Sequence, residues 1–343
     1  MSRASAESAT CEARSPCNYK KNEGGNKMKA CNIQTKYSSH LAGRYRHSIL
    51  QTRPRNDLNL KNWKAEIRRN RLLLGSLWFI PEREKTGVHN GTYWGNFVPQ
   101  IPHQAIIRFT RKNEWVLDAF AGLATSLIKC KQLSRNGIGI ELVPQVAADA
   151  NTLLRKQKNP TVFAKVISGD SASANAKKRV KAILSAHNAS KVQLLILHPP
   201  YYNAIRFSNN PRDLSNASSL ENYLEMFKAV ITNFATLLED GRYMVLVIGD
   251  TYSKGEYIPL ESKVLEVVLQ SGLFKLKGIV VKNVCGNRGK KGQESLWNYR
   301  ALKNGLFIFK HEYVAFFQKL DRVAKSSEAR IEDEHVPLTE VEK

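Results

Sequence analysis

Cysteine is scarce in this chain: five residues in 343 (Cys11, Cys17, Cys31, Cys130 and Cys285), at unrelated spacings and never as C-x-x-C. No histidine cluster accompanies them. A zinc site or a disulfide framework is therefore not expected, and reduced thiols in a cytoplasmic setting are. Long apolar runs are also missing. A stretch such as Met244–Ile248 falls far short of the roughly 20 residues of a membrane span, so no membrane partner is expected. The first 40 residues hold no hydrophobic signal segment. A G-x-G-x-x-G fingerprint is absent, which argues against a dinucleotide site. Acidic residues are few beside basic ones, 30 Asp and Glu against 53 Lys and Arg, a net charge of +23. Such a surface is expected to meet a polyanion, with nucleic acid the leading candidate.

The apolar fraction, 42%, is enough for a sizeable core. The charge is placed unevenly. Residues 1–40 carry 7 basic and 3 acidic residues, and 321–343 carry 4 and 7, so the remaining +22 belongs to 41–320. The two ends read as solvated tails, the last one acidic. Residues 41–95 read as a basic N-terminal extension packed on a main domain over 96–320. Within the extension, Leu60, Trp63, Ile67 and Leu74 stand at helical spacing and predict a helix over Asp57–Leu74.

From Trp115 the chain alternates between strand and helix patterns. Strands are predicted at Trp115–Phe120, Gly137–Leu142, Ala164–Gly169, Gln193–Leu197 and Arg242–Ile248, with helices between them. Gln193–Leu197 (QLLIL) is nearly all apolar, as a central parallel strand buried on both faces should be. Phe274–Lys282 and Lys310–Lys319 are two further strands, separated by a long polar loop in which no helix fits, so these two are expected to pair antiparallel. The pattern predicts an α/β doubly wound sheet with helices on both faces. Ligands of such sheets sit at the carboxyl ends of the strands.

Three successive strand ends carry acids: Asp118, Glu141 and Asp170. Each alone would read as a helix cap. Together they suit a cationic or hydroxyl-bearing ligand. Glu141 is placed to accept from ribose hydroxyls and Asp170 to reach an adenine amino group. The turn after Asp118 (Phe120-Ala121-Gly122-Leu123-Ala124-Thr125) is built of small residues that let a ligand approach the backbone.

The fourth strand end reads Leu197-His198-Pro199-Pro200-Tyr201-Tyr202. Two prolines end the strand rigidly and leave carbonyls as acceptors. His198 and the Pro199 carbonyl can accept the two N–H bonds of a planar amine, with Tyr201 as a stacking face.

In this combination the chain resembles the S-adenosylmethionine-dependent, amino-methylating DNA methyltransferases of the adenine-N6 and cytosine-N4 type. Their D-x-F-x-G-x-G-T turn corresponds to D118-A-F-A-G-L-A-T125, and their D/N/S-P-P-Y/F motif to H198-P-P-Y201. The stretch Gly95–Thr110 is similar to the one packing beside the methionine part of the cofactor, and Phe309–Lys319 to a closing H-E-Y strand. The resemblance implies a seven-stranded Rossmann-like sheet with its last strand antiparallel. It assigns Asp118, Phe120, Ala121, Gly122, Thr125, Glu141 and Asp170 to S-adenosyl-L-methionine, and His198, Pro199, Pro200 and Tyr201 to catalysis. Two positions depart from the pattern: Ala124 replaces the second glycine, and His198 stands where Asp, Asn or Ser is usual. A neutral imidazole accepts a hydrogen bond and an imidazolium does not, so the rate is expected to fall as pH drops through the pKa of His198.

The implied activity is methyl transfer to an exocyclic amino group, cytosine N4 or adenine N6, of a base flipped out of DNA. Tyr202, Arg206, Arg288, Lys290, Lys291 and Arg300 are the candidate nucleic-acid contacts, because cations interleaved with aromatics suit phosphates and bases. A restriction enzyme would be the natural partner, although the chain shows no nuclease motif of its own. Two alternatives stay open: an RNA base amino-methyltransferase, and a catalytically inactive nucleic-acid-binding member of the same fold.

Overall fold

The computed structural model describes residues 55–89, 91, 93, 95–284 and 294–321. They belong to one compact unit, Arg53–Lys343. In chain order the elements are α1 (Trp63–Asn70), β1 (Leu77–Trp78), α2 (Gln100–Phe109), β2 (Trp115–Asp118), α3 (Thr125–Gln132), β3 (Asn136–Glu141), α4 (Pro144–Lys156), β4 (Ala164–Ser168), α5 (Ala174–Ala186) and β5 (Val192–Leu197). There follow α6 (Leu220–Ala235), β6 (Leu238–Ile248), the hairpin β7 (Thr251–Ser253) and β8 (Glu256–Ile258), α7 (Leu260–Gln270), β9 (Phe274–Asn283), α8 (Glu294–Asn304) and β10 (His311–Lys319).

The main sheet has the order β1-β9-β10-β6-β5-β2-β3-β4. β10 runs antiparallel to both neighbours, β6 and β9. Every other pairing in this sheet is parallel. The expected doubly wound sheet with an antiparallel last strand is therefore present, and β1 adds an eighth strand at the edge. The central strands are short and mostly apolar: all four residues of β2 are buried, as are Leu194–Leu197 of β5. From β2 the chain winds outward through β3 and β4, then returns to place β5 on the other side of β2. The switch in winding direction therefore lies between the carboxyl ends of β2 and β5, where such sheets bind ligands.

Two local expectations change. The helix predicted over Asp57–Leu74 is a single 3-10 turn (Leu60–Asn62) followed by α1, which stops where Arg71 takes a left-handed conformation (φ 49°). The supposed apolar stripe faces outward, with Leu60 65%, Trp63 51% and Leu74 60% exposed, while Glu66 is buried. The extension instead anchors itself through polar bonds, such as Arg135 Nη2 to Asp57 Oδ2 (2.9 Å) and Asn56 Nδ2 to the Arg108 carbonyl (2.8 Å). It also anchors through Trp78, which is 1% exposed and packs edge-on against Phe316. Second, the long loop after β9 contains a helix, α8. Its Leu296, Tyr299 and Leu302 are exposed, so no buried stripe marked it in the sequence. An element not read from the sequence is the hairpin of β7 and β8, which turns through Lys254 and Gly255, both at positive φ (52° and 86°), as a primed two-residue turn requires.

Candidate active site

A cavity of about 1180 Å³ opens over the carboxyl ends of β2 to β6. One wall is the turn between β2 and α3. Asp118, fully buried, ends β2; its Oδ1 accepts from the Phe120 N–H (3.0 Å). Burial pushes its pKa up to about 6. The turn is strapped to β3, with the Ala121 N–H donating to the Ile140 carbonyl (2.8 Å). The fit there is close: a Cβ on Gly139 would lie 2.7 Å from the Ala121 Cβ, so glycine is required in this strand. Gly122 has φ +48°, with the Tyr93 ring against it. Ala124 takes φ 62° at the start of α3, a left-handed position that a glycine would hold without strain.

Glu141 ends β3 beside this turn. Its Oε2 accepts from the Gly122 N–H (3.0 Å) and its Oε1 from the Val143 N–H (2.9 Å), while burial raises its pKa. Asp170 follows β4 and caps its own turn, Oδ1 accepting from the Ala172 N–H (2.8 Å). Of the three predicted strand-end acids, Glu141 and Asp170 line the cavity together with Phe120, Ala121 and Gly122. Asp118 stands behind the wall as a brace. So does Thr125, which is 3% exposed and donates to Asn96 Oδ1 (2.6 Å).

The opposite wall is the H-P-P-Y segment leaving β5. The His198 ring lies edge-on between Phe97 (centroids 4.8 Å, 81°) and Tyr201 (5.7 Å, 84°). No hydrogen-bond partner meets either ring nitrogen among the described residues. Burial lowers its pKa to about 4; Lys282 adds to this and Glu312 opposes it. At neutral pH the ring is an uncharged imidazole with an unused acceptor. The two proline carbonyls differ, contrary to the expectation that both stay free. That of Pro200 accepts from the Tyr223 hydroxyl (2.9 Å), whereas no described donor meets that of Pro199. Tyr201 donates its hydroxyl to Glu312 Oε2 (3.2 Å).

The candidate nucleic-acid contacts scatter. Tyr202 packs edge-on against Tyr223 and does not line the cavity. Arg206 is exposed and donates to the Ser208 carbonyl. Arg212 is exposed at the rim, 3.9 Å from Asp170. Arg300 lies over the Trp297 ring on α8. Arg288, Lys290 and Lys291 fall outside the described residues.

Sequence reasoning passed over Tyr93, Asp213, Asp250 and Lys282, and singled out Phe97 and Glu312 only as members of the Gly95–Thr110 and Phe309–Lys319 stretches; all six line the cavity. Asp250 was within reach of the strand-end rule, since it follows β6 by two residues. Its Oδ1 accepts from the Glu261 N–H (3.0 Å) and its Oδ2 from the Tyr257 hydroxyl (2.5 Å). The others come from loops or from strands far apart in sequence.

Comparison with known proteins bears on this geometry. Residues 17–152 match the N6/N4 methyltransferase family, described as DNA methylase. The chain is 31% identical over 81 residues to the type II methyltransferase M.MjaII of Methanocaldococcus jannaschii, covering 22% of this chain and 15% of that protein. It is 32% identical over 91 residues to the type II methyltransferase M.BglI of Bacillus subtilis, covering 26% and 23%. The matches thus span less than a quarter of the length of either relative. Among solved structures, TrmN from Thermus thermophilus superposes with a TM-score of 0.41 at 13% identity, over 65% of this chain and 49% of that one. The cofactor-side turn and the acid at the end of β3 fall within the stretch, residues 17–152, over which the chain is similar to the N6/N4 DNA methylase family.

Proposed function

We propose that this chain transfers a methyl group from S-adenosyl-L-methionine to an exocyclic amino group of a base flipped out of DNA, cytosine N4 or adenine N6. The observation that carries the reading is the pairing of two unused acceptors, the neutral His198 ring and the Pro199 carbonyl, across one cavity from the Phe120–Gly122 turn. The residues present fit the cofactor. Carboxylates of Glu141, Asp170 and Asp213 line the cavity, which suits a positively charged, hydroxyl-bearing ligand. Glu141, the Phe120–Gly122 backbone and Asp170 would hold it. When bound, it supplies a methyl group activated by a sulfonium centre.

The chain's own residues do the rest. An exocyclic amine is a weak nucleophile because its lone pair is delocalised into the ring. His198 and the Pro199 carbonyl, accepting its two N–H bonds, favour a pyramidal nitrogen and stabilise the positive charge that develops there. Tyr201 supplies an aromatic surface for the base, and the rigid Pro-Pro turn fixes all three groups relative to one another. A base within a duplex cannot reach this cavity, so extrusion or a single-stranded target is required. The positive charge of the chain supplies backbone affinity. A restriction enzyme reading the same site is the expected partner, and the cytoplasm the expected place.

The test uses purified protein, radiolabelled cofactor, and duplex DNA, single-stranded DNA and RNA, with the modified nucleoside identified by mass spectrometry. Label in N4-methylcytosine or N6-methyladenine of DNA is expected. Label in RNA alone, or none in any substrate, overturns the reading.

A further inference from the structure

The H-P-P-Y wall of the cavity contains a buried ion pair that the reaction as described does not use. Lys282 Nζ lies 3.0 Å from Glu312 Oε1, with side-chain exposures of 5% and 13%. The two residues are direct partners across β9 and β10, and both line the cavity. A cross-strand ion pair at a surface stabilises by under about 1 kcal/mol. Burying one adds a desolvation penalty that apolar residues would avoid. Stability alone is therefore a weak reason for charges here.

The second carboxylate oxygen supplies a better reason. Glu312 Oε2 takes the Tyr201 hydroxyl, so the ring of the motif tyrosine is held at three points. Its hydroxyl is on Glu312. Its Cε2 edge packs on Gly249, where an added Cβ would stand only 3.0 Å away. Its ring also sits at 84° to His198. An aromatic surface fixed in advance spares the rotamer ordering that a loose ring would require when a base arrives.

The geometry points to Glu312 as a positioning residue: held by Lys282, its carboxylate fixes the Tyr201 ring as the platform for the substrate base. This rests on the methyl-transfer reading above and adds to it a residue pair from the last two strands. The decisive comparison is a cycle between Y201F, which removes only the hydroxyl, and K282M/E312L, which replaces the buried pair by apolar side chains and so leaves no lone charge to unfold the protein. Each should lower kcat about tenfold while the Kd for S-adenosylmethionine stays within about twofold. Combined, they should lose no more than about threefold beyond the worse of the two, because both break one clamp. Multiplicative losses, or an unchanged kcat in K282M/E312L, overturn the proposal. A second readout does not need activity. With labelled tyrosine, the two ring edges of Tyr201 should give separate NMR signals in the wild type and averaged ones in K282M/E312L; averaging in both overturns the clamp. A wild-type protein that methylates nothing would overturn the methyl-transfer reading, and the ring signals would still decide the clamp.

Discussion

The Tyr223 hydroxyl, carried on α6, donates to the carbonyl of Pro200 at 2.9 Å, tying the turn after β5 to the helix that packs beneath it. Tyr223 is fully buried within the main core, while Pro200 is half-buried at the cavity wall. Tyr223→Phe should lower the unfolding free energy by about 0.5–1.5 kcal/mol, the net value of one hydrogen bond to a half-buried carbonyl. Urea titration of the two proteins checks this. A change below about 0.5 kcal/mol would mean that the bond does not anchor the turn.

His198 sets the pH behaviour. Its folded pKa, about 4, lies below the 6.5 of a free imidazole. Between those values the unfolded chain binds the proton and the folded one does not, so stability falls as pH drops from about 6.5 to about 4. His89 is shifted in the same direction, so the test is the difference between wild type and His198→Gln, in which the slope of stability against pH should be shallower. The same shift moves the expected loss of activity below pH 5. The rate should stay flat with respect to this group from pH 5 to 8, and a decline centred near pH 6.5 would show that the ring is not neutral as described.

Glu141 joins the β2–α3 turn to the start of α4 through the N–H groups of Gly122 and Val143. Glu141→Ala removes both bonds and a carboxylate from the cavity. Calorimetric titration with S-adenosylmethionine should show at least a tenfold loss of affinity, with a smaller loss in Glu141→Gln, which keeps one acceptor. Equal affinity in all three proteins would exclude Glu141 from the cofactor site.

Arg212 at the cavity rim and Arg300, stacked over the cavity-lining Trp297, are exposed cations. If each neutralises a phosphate, Arg212→Ala and Arg300→Ala should each reduce the slope of log affinity against log salt by about 1. Fluorescence anisotropy of a labelled duplex over a range of salt concentrations measures this. A slope unchanged in both variants would place the DNA elsewhere.

The parts of this fold that were legible in the sequence are those governed by local rules. Apolar runs such as 193–197 gave the buried strands, and small residues after Asp118 gave the turn over the cavity. The order of motifs along the chain placed both signature segments at strand ends, and the sheet order brings those ends together. What could not be read depends on pairing over distance. Glu312 stood in the H-E-Y stretch, but its pairing with Lys282 appears only when two strands place them face to face. Trp78 reads as one more aromatic of the extension until it finds Phe316. Asp118 was legible as a strand-end acid, but whether it would line the cavity or brace it depended on the exact course of the turn. The α8 helix escaped notice because its apolar side chains point to solvent, which removes the periodic signal.

The edge strand β1 has a consequence for assembly. Ile80 and Asn283 exchange two hydrogen bonds across a sequence separation of 203 residues, and Leu77 and Trp78 align beside Val281 and Lys282. The eighth strand therefore cannot dock until β9 exists. During synthesis, Trp78 must remain without its aromatic partner until β10, close to the end of the described chain, delivers Phe316. The early chain carries an unsatisfied apolar hook whose receptor lies on the last strand of the sheet, so closure of this edge is a non-local step that follows formation of β9 and β10.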